Sequence, residues 1–220
     1  MDVNLTDDEK LAEVKKWWGE NGGSIITGVV LGLAVLFGSK AWFAYQERKA
    51  ETASNIYTTL IVALERGENQ IVTGKAGVLV ADYTGTPYAT LAALALAKMN
   101  IEAGELAVAS SHLQWVIDNT RSDISRDTAR LRLARVMVAM DDLDGALVVL
   151  DQAVPGTSFD PLYTEVRGDV DVARGDLAAA NKTYQTALDM TDANAPGRHL
   201  LQLKFDSTVV ASTTPVEESE

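Results

Sequence analysis

From Gly22 to Ser39 the chain runs eighteen residues without a charge, and Lys40 is the only charge before Glu47. A helix rises about 1.5 Å per residue and a bilayer core is about 30 Å thick, so the stretch 22–45 predicts a transmembrane helix. Trp17 and Trp18 precede it, and Trp42 and Tyr45 close it, where amphipathic rings settle at the two membrane interfaces. Beyond the span the pattern turns to apolar positions at helical spacing: Ala53, Ile56, Tyr57, Leu60 and Leu64 share one face. Gly67-Glu68-Asn69 then turns the chain. Residues 71–83 predict a weaker second helix with Val72, Leu79, Val80 and Tyr83 as its face and Gly74 and Gly77 loosening it. The stretch 88–102 is rich in alanine and leucine, which favour helix.

Three later segments repeat one another. Gly104-Glu105-Leu106 leads to Ala109, Leu113 and Val116; Asp141-Asp142-Leu143 leads to Ala146, Leu150 and Ala153; Gly175-Asp176-Leu177 leads to Ala180, Tyr184 and Ala187. The alanines are 37 and 34 residues apart, close to the tetratricopeptide period. Seven positions before each opening Gly or Asp stands a small residue (Ala97, Ala134 or Gly168), where a first helix would cross a second closely. Thr86-Pro87 and Asp160-Pro161 each set a capping side chain before a proline at the first helical position.

The fold class that follows is all-α: one N-terminal transmembrane helix followed by a tetratricopeptide-repeat-like α-solenoid. Residues 1–21 form an amphipathic tail, 22–45 the span and 46–206 the repeat domain. In the tail, Thr6 and Glu9 fit a capping box, Leu11, Val14 and Trp18 share a face, and Asn21-Gly22-Gly23 is expected to end the helix. Residues 199–206 predict a last capping turn. From Ser207 to Glu220 the chain is polar, acidic at its end and expected to be disordered.

Charge changes the picture in two ways. The net charge is −12, and residues 46–220 hold 25 acids against 15 bases, which excludes nucleic acid as a partner of a basic face and otherwise suits solubility. Three lysines precede the span (Lys10, Lys15, Lys16) and Lys40, Arg48 and Lys49 follow it, so the positive-inside rule gives no direction. A cleavable signal peptide is the rival reading of the apolar stretch, since Ser39-Lys40-Ala41 loosely meets the small-x-small rule. The long, mixed-charge segment with two tryptophans ahead of it favours an uncleaved anchor.

Candidate chemistry is sparse. There is no cysteine, hence no disulfide, thiolate nucleophile or sulfur-ligated metal. His112 and His199 are far apart, and Asp141, Asp142 and Asp144 lack the alternation of an EF-hand loop, so they read as turn acids at a helix start. No phosphate loop, dinucleotide fingerprint or nucleophile elbow occurs. No catalytic residue, metal or cofactor is expected. Surfaces remain. Within the span, Ser24, Gly28 and Gly32 form a small-residue face on which another helix can close. In the solenoid, first helices line a concave face. Repeat register places Leu94, Lys98, Ile101, Leu131, Arg135, Val138, Leu162 and Asp169 there as a candidate peptide or partner groove, although several of these leucines fit packing between repeats equally well.

The run LAEVKKWWGENGGSIITGVVLGLAVLFGSKAW (11–42) resembles the N-terminal signature of the ancillary subunits of the bacterial Sec translocon, the YfgM type. So do ARLRLARVMVAMDDLDGALVVLD (129–151), EVRGDVDVARGDLAAANKTYQTAL (165–188) and LLQLKFD (200–206). The most specific parts are KKWW-x-ENG from Lys15 to Gly22 and LRLARV from 131 to 136; Lys40 within the outer span and the last fourteen residues depart from the pattern. The resemblance implies a bacterial inner-membrane protein with a cytosolic N-terminus and a periplasmic repeat domain. It also implies association with the Sec channel, with a membrane-anchored periplasmic chaperone of the prolyl-isomerase-like type and with translocating client proteins, which the repeats would help pass to chaperones. A structural scaffold of an envelope complex that never touches clients is the alternative. The family offers no catalytic residue.

Overall fold

The computed structural model describes residues 7–213, with side chains over residues 10–209. Among the described residues every regular element is a helix. The chain divides into two units, Met1–Thr52 and Ala53–Glu220, and the division falls inside the first helix, α1 (Asp7–Glu65). The capping box expected at Thr6 lies outside the described residues.

In the first unit, α1 passes through Asn21-Gly22-Gly23 without the expected break. Glycine inside a helix costs about 1 kcal/mol against alanine but does not end it unless a left-handed residue follows. Two local contacts favour continuity here. The Asn21 amide donates to the Trp17 carbonyl at 3.1 Å, one turn back. The Trp18 indole also covers Gly22 so closely that a Cβ there would lie 3.2 Å from the ring. Between these residues and Ser39 the helix is long and apolar enough to cross a membrane. Its apolar side chains face outward, Phe37 and Val35 each being 70% exposed, so it is not the core helix of a soluble domain.

The second unit pairs the end of α1 with α2 (Asn69–Asp82), then α3 (Pro87–Glu102) with α4 (Leu106–Asn119), α5 (Asp123–Ala139) with α6 (Leu143–Asp151), and α7 (Asp160–Ala173) with α8 (Leu177–Met190). α9 (Arg198–Thr213) closes the series. From α2 onward each helix packs chiefly on its chain neighbours, and α5 also touches α3 and α7, so the first helices of these successive pairs lie side by side. Ala53, Leu60 and Ala63 of α1 share a core with Val72, Ala76 and Leu79 of α2 and Ala92 and Leu96 of α3, which makes this pair the first, degenerate repeat.

The repeat signature has a direct physical reading. Ala97 and Ala134 of the first helices and Ala109, Ala146 and Ala180 of the second helices are all essentially inaccessible, because a larger side chain would hold the crossing helices apart. The opening position of each segment adopts the left-handed conformation: φ is 76° at Gly104, 63° at Asp141 and 78° at Gly175. Glycine reaches that region freely, whereas an L side chain is strained there. The following acid caps the second helix in two repeats, Asp142 accepting from Gly145 N–H at 3.1 Å and Asp176 from Ala179 N–H at 2.9 Å. Asp141→Gly is therefore expected to raise stability by about 0.5–1 kcal/mol, read as a higher urea midpoint at unchanged slope.

Two expectations need correction. Thr86 and Asp160 do not cap α3 and α7 as their sequence suggests. The Thr86 hydroxyl donates backward to the Tyr83 carbonyl at 2.8 Å, and Asp160 is itself the first residue of α7, its carboxylate accepting from Gly156 N–H at 2.8 Å. Disorder from Ser207 does not begin there either: α9 continues to Thr213. Thr208 is buried and accepts from the Asn181 amide at 2.9 Å, so a polar side chain that looked like tail chemistry ties α9 to α8.

Candidate partner-binding faces

The first candidate face lies on the membrane helix. Ser24, Gly28 and Gly32 recur every four residues of α1 and are all exposed. A Cβ placed on Gly28 or Gly32 would meet no atom within 4 Å, so the strip is not filled by side chains of its own helix. Thr27, beside it, spends its hydroxyl on the Gly23 carbonyl at 2.8 Å. The strip offers a second helix close approach through dispersion contacts.

The second candidate face is made by the first helices of the repeats, and the eight residues expected there separate into three groups. Lys98 and Ile101 of α3 line a recess of about 260 Å³ together with Ala97, Glu102 and Arg132. Leu131 does not belong to this surface. It is buried in the core formed by α3 to α7, and Leu94, Val138 and Leu162 pack against that core half-buried. A helix advances 100° per residue, so with Leu131 turned inward Arg132 takes the outward place that repeat register had assigned to its neighbour.

Arg135 and Asp169 form the third group through partners the sequence did not single out. Glu165 of α7 is one turn before Asp169, and Lys204 of α9 reaches both: its ammonium donates to Glu165 Oε1 at 2.6 Å and to the two Asp169 oxygens at 2.7 and 2.8 Å. Arg135 of α5 stands 3.7 Å from the other Glu165 oxygen. Tyr184 of α8 donates to Asp169 at 2.7 Å, with the Lys204 ammonium 5.9 Å from its ring centre. Burial first, and then the Asp169 hydrogen bond, hold the Tyr184 phenol far above its usual range, so it remains a donor. Asp169 thus joins α7, α8 and α9 rather than waiting for a ligand. The available signal was a pair of acids four apart on α7 and a single lysine within LLQLKFD; sequence distance hid their meeting.

A buried charge pair sits deeper in α5. Arg130 donates to Asp127 at 2.7 Å, and the Tyr163 hydroxyl of α7 donates to the Asp127 carbonyl at 3.2 Å. Burial pushes the Tyr163 phenol up to about 12. The unfolded phenol ionises near 10, so the unfolded chain loses its proton first as pH rises. Stability from this group is complete below about pH 10 and declines from there to about pH 12. Tyr163→Phe should flatten that alkaline decline, measured as urea midpoints from pH 9 to 11.5. His112 is half-buried on α4, where burial lowers its imidazole below the usual range.

The membrane helix, the repeats and their period find their counterpart among known proteins. A tetratricopeptide repeat-like domain model matches residues 15–210. An ancillary SecYEG translocon subunit of Haemophilus influenzae is 30% identical over 187 residues, covering 85% of this chain and 91% of that protein. The chain belongs to this family. Ancillary SecYEG translocon subunits of Escherichia coli and Neisseria gonorrhoeae are 27% and 28% identical, each covering 94% of this chain and nearly all of their own length. No solved structure matches. Membership in the ancillary-subunit family agrees with the reading of 129–151 and 165–188 as repeats and of 11–42 as the family's N-terminal signature.

Proposed function

We propose that this chain is a non-catalytic, inner-membrane ancillary subunit of the Sec translocon. In this reading its N-terminal tail is cytosolic, its span docks at the channel through Ser24, Gly28 and Gly32, and its repeats stand in the periplasm. There the first-helix face engages translocated proteins and helps pass them to a membrane-anchored chaperone of the prolyl-isomerase-like type. The observation that carries the proposal is the exposed small-residue strip on α1, in a chain whose relatives are named for the SecYEG translocon. The recess between Lys98, Ile101 and Arg132 supports client contact, since it sets an apolar wall beside exposed charge.

Photocrosslinkers at Gly28 and Gly32 should trap channel subunits in intact membranes. Crosslinkers at Ile101 and Arg132, used in preference to the buried Leu131, should trap secretory chains during active export. Capture of only lipid or a second copy at the first pair would overturn the docking role. Capture at the second pair that persists unchanged when secretion is blocked would instead support the fixed scaffold.

A further inference from the structure

Across α3 and α5 the first-helix face has two unlike sides. On α3 an apolar stripe recurs at helical spacing: Leu91 is 41% exposed, Leu94 is half-buried and Ile101 is 37% exposed. On α5 the outward positions are Arg132 and Arg135, three residues apart and both exposed. Lys98 stands on α3 between Leu94 and Ile101 and lines the same recess as Arg132, with the inaccessible Ala97 beneath them.

These three cations are loosely engaged. Arg132 has no ion pair among the described residues. Lys98 is 3.7 Å from Glu102, with the two side chains 68% and 66% exposed. Arg135 is also 3.7 Å from its acid, Glu165, whose other oxygen already accepts from Lys204 at 2.6 Å. Such separations are beyond hydrogen-bond reach, so each cation keeps the capacity for a closer partner. Glu102 is the one acid lining the recess, in a domain where acids outnumber bases 25 to 15. Positive charge is therefore gathered here against the charge of the rest of the domain.

We infer that this face selects extended chain segments in which acidic and apolar side chains alternate. The inference rests on the reading of the first helices as the client-facing side and names the kind of segment they take. Successive side chains of an extended chain point to opposite sides. One set can then lie along Leu91, Leu94 and Ile101 while the other reaches Lys98, Arg132 and Arg135. A carboxylate matches the guanidinium fork, whereas a basic segment would meet three like charges. The recess is smaller than the roughly 300–1,000 Å³ of clefts that enclose a small molecule, so it suits a side chain projecting from a longer chain.

The test titrates the isotope-labelled full chain, in zwitterionic detergent, with acetyl-Gly-Leu-Asp-Val-Asp-Leu-Gly-amide. Counterparts with asparagine or lysine in place of both aspartates complete the series, and no peptide has a charged terminus. The Ile101 methyl and Arg132 guanidinium resonances should shift saturably with the aspartate peptide, about tenfold more tightly than with the asparagine peptide. Arg132→Gln, an exposed change, should weaken the aspartate peptide about threefold, the loss of one solvent-exposed charge pair, and leave the asparagine peptide unaffected. Lys98→Glu combined with Arg132→Glu should turn the preference toward the lysine peptide. Equal affinity for the aspartate and lysine peptides, or an aspartate-peptide affinity unchanged by Arg132→Gln, would overturn the inference and leave client contact standing. No shift with any of the three would overturn both. Displacement of the aspartate peptide by equimolar dihexanoyl phosphatidylglycerol would overturn it too, making the cations a contact for anionic lipid.

Discussion

Replacing Gly168 by leucine is expected to cost the repeat domain about 3 kcal/mol, because the α7–α8 crossing has no room for a side chain. A Cβ on Gly168 would already lie 2.5 Å from the Tyr184 ring, well inside van der Waals contact. The ring cannot swing aside cheaply: it is 2% exposed and its hydroxyl is held by Asp169. Alanine alone should therefore destabilise by about 1–2 kcal/mol, and leucine should exceed it. Gly74→Ala in α2 gives the opposite sign. No atom lies within 4 Å of its Cβ position, so the gain in helix propensity, about 0.5–1 kcal/mol, is not opposed. Urea titrations of the full chain in detergent, followed by far-ultraviolet circular dichroism, would check both signs. Equal effects at Gly168 and Gly74 would mean that the crossing at Gly168 relaxes and that its small residue is incidental.

That contrast marks how far the sequence could be read. Gly168 and Gly74 look alike as letters, yet the repeat register alone marks Gly168 as a crossing point. The reason is that a solenoid repeats its contacts as faithfully as its sequence, so position within the period stands in for depth. The span was legible for a similar reason: eighteen uncharged residues have few other uses. What escaped was polar and long-range. Thr208 reads as tail because a single threonine carries no periodic signal, yet Asn181, 27 residues earlier, fixes it. Leu131 reads as a groove residue because the register locates the first helix but not which of its sides the neighbouring repeats bury; exposed Arg132 lies 100° further round. Asp169 was placed on the correct helix but given the wrong employment, since its partner Lys204 lies 35 residues away.

Lys204→Met should be the most disruptive change at that cluster, costing about 3 kcal/mol. Removing the ammonium leaves Glu165 and Asp169 one turn apart and little exposed, with Arg135 3.7 Å from Glu165 as the remaining cation. Arg135 is itself 45% exposed, so solvent weakens what it can offer. The expected loss lies at the low end of the range for breaking a buried pair, because Lys204 keeps 27% of its own exposure. Most of the cost should come from the stranded carboxylates rather than from the missing bond. Combining Lys204→Met with Glu165→Gln and Asp169→Asn should then recover most of the stability, since the amides carry no charge and the new amide carbonyl at position 169 can still accept from Tyr184. The loss should also be local: amide exchange in α9 should quicken before that in α3 to α5, because α9 is an end helix packed chiefly on α8. If the triple substitution is no more stable than Lys204→Met alone, the stranded charges are not the source of the loss, and the lysine acts through its packing against Tyr184 instead.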